Sequence, residues 1–199
     1  MNAETKILSG GDGAIFTNVL TKEQSFSNDE DNTVNRLIIS CRESKESLNT
    51  LYTMFKDSVF AVAFGITSDY HLAEDCVIET FVRLTQVKKF SPKKGDGKGF
   101  ILTIARNVAL ELRRRHKREV ANFIIQSYGE AEKTVEDSIY INQLLKNLNE
   151  KQRETVILHC CAELTFKQIA KVMKCPETTA KSRYQKAISI LKEKAGEQQ

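Results

Sequence analysis

At 199 residues, with 41% hydrophobic and 28% charged side chains, the chain has enough apolar content for one or two modest cores and too much to remain a disordered polymer. It holds no run of eighteen apolar residues and no charged start followed by an apolar stretch, which argues against a membrane span or a signal peptide and leaves the cytoplasm as the expected location. Its net charge of +4 names no partner by itself, and its five cysteines, odd in number and without a CxxC pair, argue against a disulfide framework or a standard zinc site.

Residues 1–30 carry Gly10, Gly11, Gly13 and a polar stretch from Ser25 to Glu30 without sustained periodicity, and read as a flexible tail. From Val34, apolar residues recur at helical spacing through Leu37, Ile38, Cys41, Leu48, Leu51, Phe55, Val59 and Ala63, which predicts two amphipathic helices with a break near Ser44. A third helix is predicted over 70–87, with Ala73, Val77, Phe81 and Leu84 on one stripe and Asp75, Glu79 and Arg83 opposite. Pro92 and three glycines make 90–99 a loop. A fourth helix is predicted from Phe100 to about Lys117, burying Ile101, Ile104, Ala105, Val108 and Leu112 and ending in a basic run from Arg113 to Arg118.

Residues 119–138 are acidic and weakly periodic, and read as a linker between two domains. Beyond it the pattern predicts a short helix over 139–148, then helices over 150–161, 166–173 and 176–194. Thr165 and Gln168 match a capping box, and Pro176 suits a first helical position, which leaves Cys175 as a weak cap. Helix, short turn, helix is the spacing of a helix-turn-helix. The back of its last helix consists of Ala180, Tyr184, Ala187, Ile188 and Leu191. Thr178, Thr179, Lys181, Ser182, Arg183, Gln185 and Lys186 point outward as hydrogen-bond donors for phosphates or base edges.

Charge is distributed unevenly along this order. Residues 86–118 carry eleven basic and two acidic side chains and residues 171–194 carry seven and two, while 119–150 between them carry two and six. Two cationic blocks separated by an acidic spacer point to two nucleic-acid contacts through charge neutralisation and counterion release. The plainer alternative is a pair of solvated helix faces.

The run from Ala73 to Leu84, followed by Phe90-Ser91-Pro92 and by Phe100 to Asn107 with the arginines behind it, resembles domain 2 of extracytoplasmic-function sigma factors. Leu144 to Leu148, Gln152-Arg153-Glu154, Leu164-Thr165-Phe166 with Gln168-Ile169-Ala170, and Thr179 to Arg183 are similar to domain 4 of the same family. The resemblance implies an all-α fold of two small helical domains, a four-helix domain 2 over 31–118 and a helix-turn-helix domain 4 over 139–196. It further implies that Glu74, Asp75, Glu79 and Arg83 grip the clamp helices of the largest subunit of core RNA polymerase, with domain 4 at the flap. Ser91, Lys93, Lys94, Asp96 and Lys98 of the loop, with Arg106, Asn107, Arg113, Arg114 and Arg115, correspond to the minus-10 DNA contacts, including capture of a flipped base. The outward residues of the last helix correspond to the minus-35 contacts. An anti-sigma protein is the further partner the family implies. Ile78, Phe100, Glu111 and Thr178 stand where that family usually has Gln, Trp, Asp and Gly, which leaves the minus-10 preference open.

Two rivals follow from the same residues. A plain helix-turn-helix repressor accounts for the DNA-facing helix but leaves the acidic third helix unexplained, and it would bind an operator without polymerase. A metal or thiol sensor built on His159, Cys160, Cys161 and Cys175 requires adjacent side chains on one helix, about 100° apart, to share an ion. Buried thiols are the simpler reading. No catalytic signature and no cofactor motif is expected: HExxH and GxxxxGK are absent, as is any nucleophile elbow.

Overall fold

The computed structural model describes residues 28–87, 90–92, 96–123 and 145–196, and every regular element among them is an α-helix. The tail over 1–27, Lys93 and Lys94, most of the linker and residues 139–144 of the short helix lie outside the described residues. Helices α1 (Asn28–Ser40), α2 (Lys45–Thr67), α3 (Tyr70–Thr85) and α4 (Gly97–Phe123) form the first domain. Helices α5 (Glu150–Cys160), α6 (Phe166–Met173) and α7 (Glu177–Gly196) form the second.

The breaks between helices are set by local chemistry. Ser44 caps α2 by accepting a hydrogen bond from the Ser47 N–H, and Asp69 caps α3 by accepting from the Leu72 N–H at 2.8 Å. Between them Ser68 takes a left-handed conformation at φ 56°, so the chain reverses from α2 to α3 in two residues. The core of the first domain joins Leu51, Phe55, Val59 and Val62 of α2 to Ala73, Val77, Phe81 and Leu84 of α3 and to Ile101, Leu102, Ala105, Val108 and Leu112 of α4. Each fully buried aliphatic side chain contributes about 1.5–3 kcal/mol. Helix α1 closes the group through Val34 and Ile38, crossing α4 at Gly97, where a Cβ would lie 2.7 Å from a Val34 methyl.

In the second domain, two capping boxes set the helix starts. Asn149 pairs with Gln152 at the head of α5, and Thr165 pairs with Gln168 at the head of α6. Helix α6 ends at Lys174, which is left-handed at φ 52°, and the Cys175 N–H returns to the Ala170 carbonyl. Leu158, Leu164, Ile169, Val172, Ala180 and Ala187 fill the space between the three helices.

Several boundaries differ from the sequence reading, among them the start of α4 at Gly97, inside the stretch read as a loop, where Asp96 accepts from the Gly99 N–H. Helix α1 starts at Asn28, inside the stretch read as a tail. Helix α4 runs on through Phe123, six residues past the predicted stop, because Lys, Arg, Glu, Val and Ala continue without a Gly or Pro to end it. Pro176 sits one position before α7, where its carbonyl accepts from the Thr179 and Ala180 N–H groups, so Pro176 takes the cap position expected of Cys175.

Candidate functional site

Three surfaces carry the residues singled out in the sequence. The first is the outer face of α3. Its inner stripe is Ala73, Cys76, Val77, Thr80, Phe81 and Leu84, which leaves Glu74 and Asp75 exposed and Glu79 half-buried. Arg83 is engaged rather than free: its Nε donates to Glu79 at 2.7 Å, and its Nη1 reaches Glu111 of α4 at 2.8 Å. Hydrogen bonds to Glu111 and then to Glu79 raise the Arg83 pKa above its ordinary value, and the same contact lowers that of Glu111. Two apolar residues that sequence reasoning did not place on this face also stand on it, Ile78 at 63% exposure and Val82 at 43%. Their spacing of four from each other, and from Glu74, was the available signal.

The second surface is α4 and the loop before it. Ser91 is exposed, and Phe90 packs on Phe100 with ring centroids 4.9 Å apart, which fixes the loop against the helix start. Asp96 caps that start: its Oδ1 accepts from the Gly99 N–H at 2.6 Å. Its carboxylate therefore has a structural task at the edge of the expected DNA contact. Asn107, Arg114 and Arg115 are exposed on α4. Lys98, Arg106 and Arg113 are not. Lys98 is buried with its ammonium 3.7 Å from Glu163, Arg106 places two nitrogens at 3.0 and 2.9 Å from Glu154, and Arg113 forms a two-point contact with Glu150 at 3.0 and 3.2 Å. The hydrogen bond from Arg113 lowers the pKa of Glu150. The sequence did not single out these three acids as partners, although Glu154 belongs to the Gln152-Arg153-Glu154 group.

The third surface is α7. Thr178, Lys181, Ser182, Gln185 and Lys186 are exposed, and Thr179 and Arg183 are half-buried, while Ala180 and Ala187 face the core. Lys181 pairs with Glu177 at 3.0 Å, one turn back. The hairpin of α6 and α7 is held by an aromatic group in which His159 stacks on Phe166 at 4.6 Å and meets the edge of Tyr184 at 4.7 Å. The His159 Nδ1 lies 2.8 Å from the Leu164 carbonyl oxygen, so this histidine braces the hairpin. Cys160 is buried near Tyr184 and Cys161 is exposed, and no group of three His, Cys, Asp or Glu side chains converges among the described residues. No helix among those residues is long and apolar enough to cross a membrane.

Comparison with known proteins agrees with this arrangement. Residues 51–119 match the family model of sigma-70 region 2, and residues 138–191 match that of sigma-70 region 4. The chain is 28% identical over 143 residues to the ECF RNA polymerase sigma factor SigM of Bacillus subtilis, covering 68% of this chain and 87% of that one. It is 26% identical over 156 residues to the ECF RNA polymerase sigma factor BldN of Streptomyces coelicolor, covering 73% and 59%. Two solved structures share the fold at a TM-score of 0.62 each. One is CnrH in complex with the cytosolic domain of CnrY, at 16% identity over 80% of this chain and 95% of that one. The other is the sigma factor RpoE with the anti-sigma factor NepR from Bartonella quintana, at 24% identity over 75% and 96%. With regions 2 and 4 in order on two helical domains, and a helix-turn-helix in the second, the chain belongs to the ECF sigma factors, which act in transcription initiation and are not enzymes.

Proposed function

We propose that the three surfaces divide the work of initiation between them, in the cytoplasm where polymerase and chromosome meet. The ridge of Glu74, Asp75, Glu79 and Arg83, with Ile78 and Val82 between them, docks on the clamp helices of the largest polymerase subunit, and domain 4 rests on the flap. The Ser91 to Lys98 loop and the α4 residues Arg106, Asn107 and Arg113 to Arg115 hold and melt minus-10 DNA. Extruding a base costs a few kcal/mol, which contacts to the flipped base and the cationic helix offset. Helix α7 reads the minus-35 element in the major groove.

The observation that carries this reading is α7 itself. It follows a tight turn at Lys174, buries its back on α5 and α6, and presents donors without an acidic side chain from Thr178 to Lys186. A well-placed contact from such a donor to a base edge supplies about 1–3 kcal/mol of discrimination. An anti-sigma partner is part of the proposal, because both solved structures of like fold are complexes, one of them with an anti-sigma factor.

The test separates the surfaces. Arg183→Ala lowers promoter use and leaves core binding near wild type, whereas Asp75→Lys weakens core binding and leaves the DNA-reading helix intact. Equal loss of both activities in both variants contradicts the division.

A further inference from the structure

Glu111 is the only acidic side chain between Gly97 and Arg118, in a stretch that otherwise supplies the cations of α4. Helical spacing sets it on one stripe with Asn107 a turn before it and Arg114 and Arg115 a turn after it, and all four are exposed. A carboxylate in this place repels the phosphates that its neighbours attract. It is also held in position: the Arg83 Nη1 of α3 lies 2.8 Å from the Glu111 Oε2, while the Glu111 side chain stays 60% exposed. Arg83 is in turn anchored by Glu79 at 2.7 Å, so α3 decides where the Glu111 carboxylate stands. The hydrogen bond from Arg83, and then its charge, lower the Glu111 pKa below its ordinary 4.5, which keeps the acid ionised near neutral pH. As a brace between helices the pair does little, because an ion pair open to water adds little stability. As a means of aiming an acceptor outward from the cationic helix it does much more.

We propose that Glu111 is a specificity-determining residue of domain 2, whose carboxylate, positioned by Arg83, accepts a hydrogen bond from the exocyclic amino group of a cytosine in the minus-10 region. The proposal rests on the reading of α4 as the minus-10 contact. An ionised carboxylate has acceptors only, so it is drawn to a base edge that offers a donor and repelled by one that offers acceptors. In the major groove cytosine presents its N4 amino group, whereas adenine sets the N6 amino group beside the N7 acceptor, thymine presents O4, and guanine presents O6 and N7. Cytosine is therefore the base whose edge suits Glu111 best.

The neighbours divide the remaining tasks. Arg114 and Arg115 carry donors only and suit phosphates or guanine, and Asn107 carries a donor and an acceptor, the pattern that matches adenine. Of the four exposed side chains on this stripe, Glu111 alone selects for a donor. The arginines beside it offset the repulsion between its carboxylate and the DNA backbone, which makes an acid tolerable there. Arg83 acts through Glu111 and is a positioning residue for the same contact.

The test uses core polymerase with the full chain on a promoter library randomised across the minus-10 region, with transcripts sequenced to give the base preference at every position. Wild type is expected to favour cytosine over thymine or guanine at one position by about tenfold. Glu111→Gln keeps the side-chain size and gains a donor, so the preference at that position should move to adenine, whose N6 and N7 match an amide, while the other positions keep theirs. Arg83→Ala should lower the cytosine preference at the same position several-fold. Base preference is a ratio within one reaction, so a change in core affinity or in the amount of folded protein does not move it. A Glu111 with only a structural part would lower transcription evenly across the library in both variants and leave every preference as in wild type, which overturns the proposal. A wild-type preference map without cytosine at any minus-10 position overturns it as well. Failure of the underlying reading of α4 registers differently, as a map with no base preference anywhere in the minus-10 region.

Discussion

Arg83 of α3 lies 2.8 Å from Glu111 of α4 while its Nε holds Glu79 at 2.7 Å, so one guanidinium joins the proposed polymerase ridge to the proposed DNA helix. This gives Arg83 a positioning part in addition to any direct contact. Its pairs are largely solvated, and solvated ion pairs contribute little.

Arg83→Ala is therefore expected to lower the unfolding free energy by less than about 1 kcal/mol in urea titration. Core-polymerase affinity should fall several-fold in the same protein, because Glu79 loses the partner that orients it. Arg83→Lys should recover only part of that affinity, since an ammonium lacks the fork that spans two carboxylates. A loss of several kcal/mol in stability would show that Arg83 is a core element instead.

At the loop, Asp96 can be assigned by a pair of substitutions. Its carboxylate caps α4 through the Gly99 N–H. Asp96→Ala should cost about 1 kcal/mol of domain 2 stability, whereas Asp96→Asn should stay within a few tenths, because asparagine caps equally well. Equal losses in the two variants would mean that the charge, and not the cap, matters at this position.

Lys174 adopts a left-handed conformation, φ 52° and ψ 53°, at the turn between α6 and α7. Glycine adopts it without the Cβ penalty. Lys174→Gly is expected to stabilise domain 4 by about 0.5–1 kcal/mol, read as a higher thermal midpoint, and Lys174→Val is expected to destabilise it.

The Cys76 thiol sits within the first domain, with Sγ 3.4 Å from the Ala105 carbonyl oxygen, and burial pushes its pKa up to about 11 from an ordinary 9.0. The folded chain keeps this proton where the unfolded chain releases it. Its contribution is complete below about pH 9 and is lost as pH rises through 11, by about 3 kcal/mol at most. The stability difference between wild type and Cys76→Ala should shrink across that interval in urea titrations. A constant difference would contradict the burial of the thiol.

The helix interiors were legible because one apolar stripe per helix leaves few choices: Ala73, Val77, Phe81 and Leu84 all lie in the core as the spacing implied. Stops and starts were harder. Nothing at Lys117 ends a helix chemically, so α4 continues to Phe123, and Pro176 takes a cap position that its ring permits without being a usual capping residue. The helix-turn-helix could be read because Thr165, Gln168 and Pro176 mark its turns locally. The pairing of Arg106 with Glu154 could not, since 48 positions separate the two and no periodic pattern links residues on different domains. Basic runs marked the cationic face of α4, whereas the acids facing it are scattered singly at Glu150, Glu154 and Glu163.

The most direct measurement is transcription from a genomic library by core polymerase with and without this protein, with RNA 5′ ends mapped in both reactions. The account predicts a set of starts that depends on the protein, shares motifs near minus-10 and minus-35, and weakens with Arg183→Ala. Identical start maps in the two reactions would contradict it.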